Sequence, residues 1–405
     1  MTPSVLVLLE IPNAQPALVG EIYFTVKGGA LVSSMFTYDT AYLSRRDAIA
    51  IDPALPLGIG GQPVPGMPGV MQDCSPDKWG RSLITKQRRE IARLEGRLLP
   101  ALTDVDFLVG VGDFSRQGAL RFREHAQGPF LSEDDRVPAL IELPRLLRAA
   151  DAVSRDGDPA AIKELLDAGT GSLGGARPKA SVRDGEGRLL IAKFPHPNDE
   201  WDVMAWEKTA LDLAAASGIN VPETRLERID KRGVLLLDRF DRRLQNRVPY
   251  MSAMTLLGAR DGDSHDYVDV AEALAPISAA ATADLRQLWR RILFSVLINN
   301  TDDHLHNHGL LHEQGGWRFS PAFDINPNPD AGTARQTSIG GAVQRDDAIG
   351  ALADYASLFS LTAASARQVT DDVAGAVAGW RDVAVANGIG ASELALFADA
   401  FRPLT

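Results

Sequence analysis

After about residue 250 the apolar residues change their spacing, and that change limits what the chain can fold into. Before it, segments such as GEIYFTVKGGALVSSMFTYD, from Gly20, alternate apolar and polar residues around a KGG turn, the pattern of a β-hairpin. Beyond it, ATADLRQLWRRILFSVLINN and the Ala-rich tail from Ala351 repeat their apolar residues at helical spacing. A strand-containing first half followed by a mainly helical second half predicts an α+β chain. With 405 residues and 45% hydrophobic content it has material for two or three domains and a sizeable core.

Residues 52–69, DPALPLGIGGQPVPGMPG, are rich in Pro and Gly and predict a loop. Residues 76–97 predict a helix carrying Lys78, Arg81, Lys86, Arg88, Arg89, Arg93 and Arg97. Such a run usually serves as a solvated face, with a binding surface as the alternative. Near residue 120 the character shifts through GALRFREHAQGP and an acidic SEDDR into a helical LIELPRLLRAADAV with Pro144 near its start. The division expected is 1–130, 131–250 and 251–405.

A formal net charge of −11 argues against a protein that coats nucleic acid unaided, because phosphate binding draws on a basic surface. Cys74 is the only cysteine, which excludes an internal disulfide and a Cys-rich zinc module and fits a reducing cytoplasm. The early VLVLL lacks preceding basic residues and is interrupted by Glu10, and no apolar stretch approaches the ~18 residues of a membrane span. The expectation is an unexported chain away from the membrane.

Chemistry-bearing residues begin at GTGSLGGARPKA, residues 169–180, whose four glycines, serine and lysine have the composition of a backbone nest for phosphates. It is not a P-loop, since Pro178 precedes Lys179 and the chain runs on into a predicted hairpin around residues 184–187. A glycine loop followed by a strand that presents a lysine is the arrangement of a kinase nucleotide lobe. Lys193, inside the otherwise apolar LIAKFP, is the candidate, although an edge lysine pointing to water has the same local sequence. The helix predicted over EWDVMAWEKTALDLAAASGI carries Glu207 as a partner for it, with Glu200 as the rival, and the strand GVLLLDRFDR brings Asp238 to Phe240 toward an adenine edge.

The densest polar stretch is NNTDDHLHNHGLL, residues 299–311. His304, His306 and His308 could meet a zinc ion only from an extended segment and without cysteine. The competing reading takes Asp302 and Asn307, five apart, as the aspartate and asparagine of a kinase catalytic loop. The interval has a mechanical reason: a carboxylate orients and deprotonates an acceptor hydroxyl while a nearby amide oxygen holds magnesium on the phosphates. GLLHEQGGWRFSPAFD then predicts two short strands that return Asp324 as a second carboxylate. A lone DxxxxN is commonplace, whereas the order glycine loop, strand lysine, helix glutamate, DxxxxN, hairpin, aspartate is not.

Together SLGGARPKA, IAKFP, DRFDR, NNTDDHLHN and PAFDINP resemble the HipA family of bacterial serine/threonine-protein kinases, toxins of type II toxin–antitoxin systems. GEIYFTV, FTYDTAYL, SPDKWGR and FLVGVGDFSRQGALRF are similar to that family's N-terminal region, so the likeness covers nearly the whole chain. It implies a protein-kinase-like, two-lobed α+β fold: a HipA-like mixed α/β N-terminal subdomain (1–130), a kinase N-lobe (131–250) and a helical C-lobe (251–405). It implies ATP and Mg2+ as cofactors, with Asp302 catalytic and Asn307 and Asp324 on the metal. Ser172, Gly174, Gly175, Lys179 and Lys193 would hold the nucleotide, joined by Glu207, Asp238, Phe240 and His304. Ser172 matches the serine that family members autophosphorylate. His306 and His308 are expected near the surface. A HipB-like helix-turn-helix antitoxin would restrain the toxin and supply most of the DNA contact, and the substrate would be a cellular protein such as an aminoacyl-tRNA synthetase or another translation component. Thr301 stands where eukaryotic kinases have the arginine of HRD, Ile325 and Asn326 replace Phe-Gly after the metal aspartate, and no APE element occurs. Activation by loop phosphorylation is therefore not expected. Two other functions remain open on the sequence, a small-molecule phosphotransferase of the antibiotic type and a non-catalytic nucleotide-binding operon regulator.

Overall fold

The computed structural model describes residues 4–12, 14–132, 137–155, 157–169, 177–243, 246–260, 262–313 and 315–402. Ser172, Gly174 and Gly175 of the glycine loop lie outside the described residues. The chain divides into two compact units, one of Met1–Asn198 with Asp241–Met251 and one of Asp199–Phe240 with Ser252–Thr405.

The first unit is built on a five-stranded antiparallel sheet in the spatial order Gly61–Pro65, Ala30–Tyr38, Ala17–Lys27, Ser4–Leu9, Leu120–Arg123. The central hairpin forms as its alternation predicts, with Tyr23 opposite Met35 and a two-residue turn in which Gly28 and Gly29 both take positive φ. Period-two patterning buries Ser34, Phe36 and Tyr38 on one face, where Phe36 and Tyr38 join Val5, Val7 and Ile22 in the core. Gly20 is required by close approach, since a Cβ there would lie 2.2 Å from the Thr37 carbonyl oxygen.

The Pro-rich stretch at 52–69 is more ordered than its composition suggests, because Gly61–Pro65 forms a strand. It pairs on one side only, at the sheet edge, where Pro63 and Pro65 leave no ladder bond missing from a central position. The basic segment forms the helix Lys78–Leu94, capped by Asp77, whose Oδ1 accepts from Gly80 N at 2.6 Å. The helix Leu143–Arg155 and the hairpin of Lys179–Arg183 with Leu189–Lys193 also follow the sequence pattern.

In the second unit the helix Val203–Ala216 starts at an Asp202 cap and ends before Gly218, whose φ of 74° reverses the chain. The hairpin of Thr224–Ile229 with Arg232–Asp238 follows. Trp206 packs against Phe397 with ring centroids 4.0 Å apart, and Phe401 and Trp380 continue the stack. The long helix Ala281–Leu297 buries most of its last ten residues and delivers the chain to the polar loop. Among the described residues no helix is long and apolar enough to cross a membrane.

Candidate active site

The polar loop is shaped by contacts that begin as the helix Ala281–Leu297 ends. Asn299 takes the left-handed conformation, φ 53°, and its Nδ2 donates to the carbonyls of Asn328 at 2.7 Å and Asp330 at 3.0 Å. Asn328 answers by donating its side-chain amide to Thr301 Oγ1 at 2.9 Å. This clip fixes where the next residues emerge. Asp302 is exposed, Asp303 is buried, and a single 3-10 turn, Leu305–Asn307, carries the chain to the buried Asn307. Asn307 Nδ2 donates to the Asp302 carbonyl oxygen at 3.2 Å and so closes the five-residue interval into one loop.

The strands Gly309–Glu313 and Gly316–Phe319 then pair as the sequence predicts, and Ser320 N donates to the Gly309 carbonyl at 2.9 Å. The hairpin therefore returns the chain to the level at which it left, with Asn307 just before it and Asp324 just after. Asp324 holds φ 56°, a left-handed backbone that residues with a Cβ adopt at a cost of order 1 kcal/mol or more and that clusters at functional sites. Its neighbour Phe323 packs on Phe240 with ring centroids 5.3 Å apart, which brings the Asp238–Phe240 segment beside Asp324.

Asp302 and Asp303 are adjacent yet held differently. Asp303 Oδ1 lies 2.8 Å from His308 Nε2, and Tyr267 OH lies 3.2 Å from that nitrogen. A carboxylate only accepts, so the proton in this pair sits on Nε2. Arg335 reaches Asp303 Oδ2 at 3.6 Å while donating to Ser295 Oγ and the Asn300 carbonyl. Burial opposes ionisation of Asp303, but His308 and Arg335 outweigh it and hold the carboxyl well below the usual range. Burial, reinforced by the Asp303 charge, pushes the Tyr267 phenol well above its ordinary value. His308 is thus a buried anchor, 4% exposed, and not the surface residue expected. Its ring turns inward to Asp303, which separates it from the half-buried His304 and His306, whose rings meet edge-on at 5.9 Å.

Sequence reading missed Asp303, Tyr267, Arg335 and Gln336. The last donates Nε2 to Asp302 Oδ1 at 2.7 Å. The run Asp302-Asp303 contained the first of these, but nothing local marks the others, which come from far along the chain.

Of the remaining candidates in the second unit, Glu207 is 1% exposed, Glu200 is exposed and Asp238 is half-buried. In the first unit Lys193 is buried at 7% exposure, so it is not an edge lysine pointing to water. It stands directly opposite Lys179 in the antiparallel pair. Lys179 Nζ meets Asp77 Oδ2 at 2.6 Å, in an ion pair with both side chains sealed from solvent. Two cations on one hairpin face repel unless anions offset them.

The loop has a definite chemical competence: an exposed carboxylate able to orient a hydroxyl, Asp302, tied to the amide of Asn307, with a further carboxylate, Asp324, following the hairpin. Oxygen donors of this kind suit magnesium, which takes one or two carboxylates and completes its shell with water and phosphate oxygens. Among the described residues no three His, Cys, Asp or Glu side chains gather as a metal-ligand cluster.

Y4mE of Sinorhizobium fredii, a candidate kinase, is 22% identical over 322 residues, 72% of this chain and 71% of that one. The structure of HipA from Shewanella oneidensis MR-1, solved with HipB and its operator DNA, overlays with a TM-score of 0.70 at 16% identity, over 97% of this chain and 95% of that one. The kinase CtkA of Helicobacter pylori aligns over 52% of this chain and 92% of its own, at 16% identity and a TM-score of 0.37. The fold is HipA-like, mixed α and β. The model of the HipA-like C-terminal domain matches residues 171–380, more than half of the sequence, and the chain belongs to that family.

Proposed function

We propose that this protein is an ATP- and Mg2+-dependent serine/threonine protein kinase, the toxin of a type II toxin–antitoxin module acting in the cytoplasm. The observation that carries the reading is the closed loop in which Asn307 donates to the Asp302 carbonyl, with Asp324 in a left-handed backbone at the same end of the hairpin. Asp302 orients the acceptor hydroxyl and accepts its proton. Asn307, whose amide nitrogen is occupied by that carbonyl, and Asp324 would hold the metal through their oxygens. A magnesium ion bound there supplies charge neutralisation for the phosphates. Lys193, buried on its strand, binds phosphate oxygens with Ser172, Gly174 and Gly175, and Lys179, whose Nζ is held by Asp77, belongs to the same nucleotide set through its place directly opposite Lys193. Glu207, Asp238, Phe240 and His304 complete the nucleotide set, and Ser172 is the site of autophosphorylation.

The partner is a HipB-like helix-turn-helix antitoxin, which carries most of the DNA contact, and the substrate is a cellular protein of the translation apparatus. Purified chain with γ-labelled ATP tests this on bacterial lysate and, separately, on small hydroxylated compounds. Label on protein that disappears with Asp302→Gln supports the reading. Label on small molecules alone, or growth arrest that survives Asp302→Gln, overturns it.

A further inference from the structure

The hydrogen bond between Gln336 and Asp302 has a setting that none of the sequence motifs anticipates. Gln336 Nε2 lies 2.7 Å from Asp302 Oδ1, and because an ionised carboxylate only accepts, the amide nitrogen must face it. The backbone of Gln336 is bound to the same loop, its N donating to the Thr301 carbonyl at 3.1 Å. Each neighbour repeats the attachment. Arg335 donates to the Asn300 carbonyl, and Thr337 Oγ1 donates to the Asp303 carbonyl at 2.7 Å. Thr337 and Ser338 pair in parallel with His265 and Asp266, and Asp266 accepts from Ser338 Oγ, Gly340 N and Gly341 N. Residues 335–341 are therefore fastened along their length, and the one side chain of that strip shown reaching the exposed carboxylate is Gln336.

We propose that Gln336 is a positioning residue for Asp302, holding the carboxylate plane at the angle from which the acceptor hydroxyl is oriented. This rests on the kinase reading, in which Asp302 is the catalytic carboxylate. The strip performs by standing hydrogen bonds what eukaryotic kinases achieve by charging a mobile loop. A carboxylate released from its amide rotates about χ2 and spends less time aimed at the hydroxyl, so the loss falls on the transfer step and not on nucleotide binding.

The test uses the full chain, γ-labelled ATP and a degenerate serine/threonine peptide mixture, with wild type, Asp302→Gln, Gln336→Met and Gln336→Asn. Gln336→Met keeps length and removes the donor. We expect its kcat to fall about tenfold or more with KM for ATP changed less than about twofold and an unchanged melting temperature. Gln336→Asn keeps the amide one methylene short and should recover part of the loss. Wild-type kcat in Gln336→Met, or a loss carried by KM or by melting, overturns the inference, while loss of transfer in Asp302→Gln leaves the kinase reading standing. Undiminished transfer by Asp302→Gln, or no transfer by the wild type, overturns both.

Discussion

The sheet of the first unit and the 299–341 region of the second are held by different kinds of force. The sheet is a repeating ladder, its strand Ala30–Tyr38 burying Ser34, Phe36 and Tyr38 at every second position, and its core is almost wholly apolar. The 299–341 region has little regular structure, and side chains hold it: Asn299 to Asn328 and Asp330, Asp303 to His308 and Arg335, Asp266 to the 338–341 turn. An apolar core tolerates a lost methylene by partial collapse, whereas a buried polar network left with one unpaired member bears the full desolvation cost. The irregular region therefore stakes more on single residues, and it can present one aspartate to solvent while hiding the next.

The contrast between those two aspartates breaks or stands on the following outcomes. Under the proposed mechanism Asp302→Gln should remove phosphotransfer by about 10²–10⁴-fold while leaving the unfolding midpoint in urea unchanged, because this side chain is exposed and lies outside the core. Asp303→Ala should destabilise the second unit by about 3–5 kcal/mol, since it leaves Arg335 buried beside no carboxylate, and denaturant unfolding followed by circular dichroism measures it. Asp303 has a depressed pKa in the folded chain, so its contribution is present above the unfolded value near 4 and is lost as pH falls. Lowering the pH from 5 to 3 should cost about 1 kcal/mol through this group in wild type, and that increment should be missing from Asp303→Asn. In the loop leading into the sheet's edge strand, Ile59→Ser alters a residue that is 92% exposed and should change stability by less than about 0.5 kcal/mol, which thermal melting resolves as near silence.

What could be read from the chain follows the same contrast. The hairpins at 17–38, 179–193 and 309–319 were legible because a turn and its flanking alternation are local. The edge strand Gly61–Pro65 was hidden because proline content signals a loop unless one knows that only one side of the strand is paired. The closed loop of Asp302 and Asn307 and the place of Asp324 after the hairpin were legible in their spacing and order. His308 misled because its neighbours in sequence are polar while its neighbours in space are Asp303 and Tyr267. Arg335 and Gln336 were illegible, since their partners lie some thirty positions upstream and no motif marks the pairing.

By itself, then, the amino-acid order determined which segments alternate, which coil, and which polar residues occur at intervals suited to phosphoryl transfer, since each of those rests on contacts within a turn or a hairpin. Only the tertiary structure decided which of two adjacent aspartates faces water, which histidine is an anchor, and which distant glutamine grips the exposed carboxylate. Burial and hydrogen-bond partnership are properties of neighbours in space, and in an irregular loop those neighbours are set by closure of the chain over long distances.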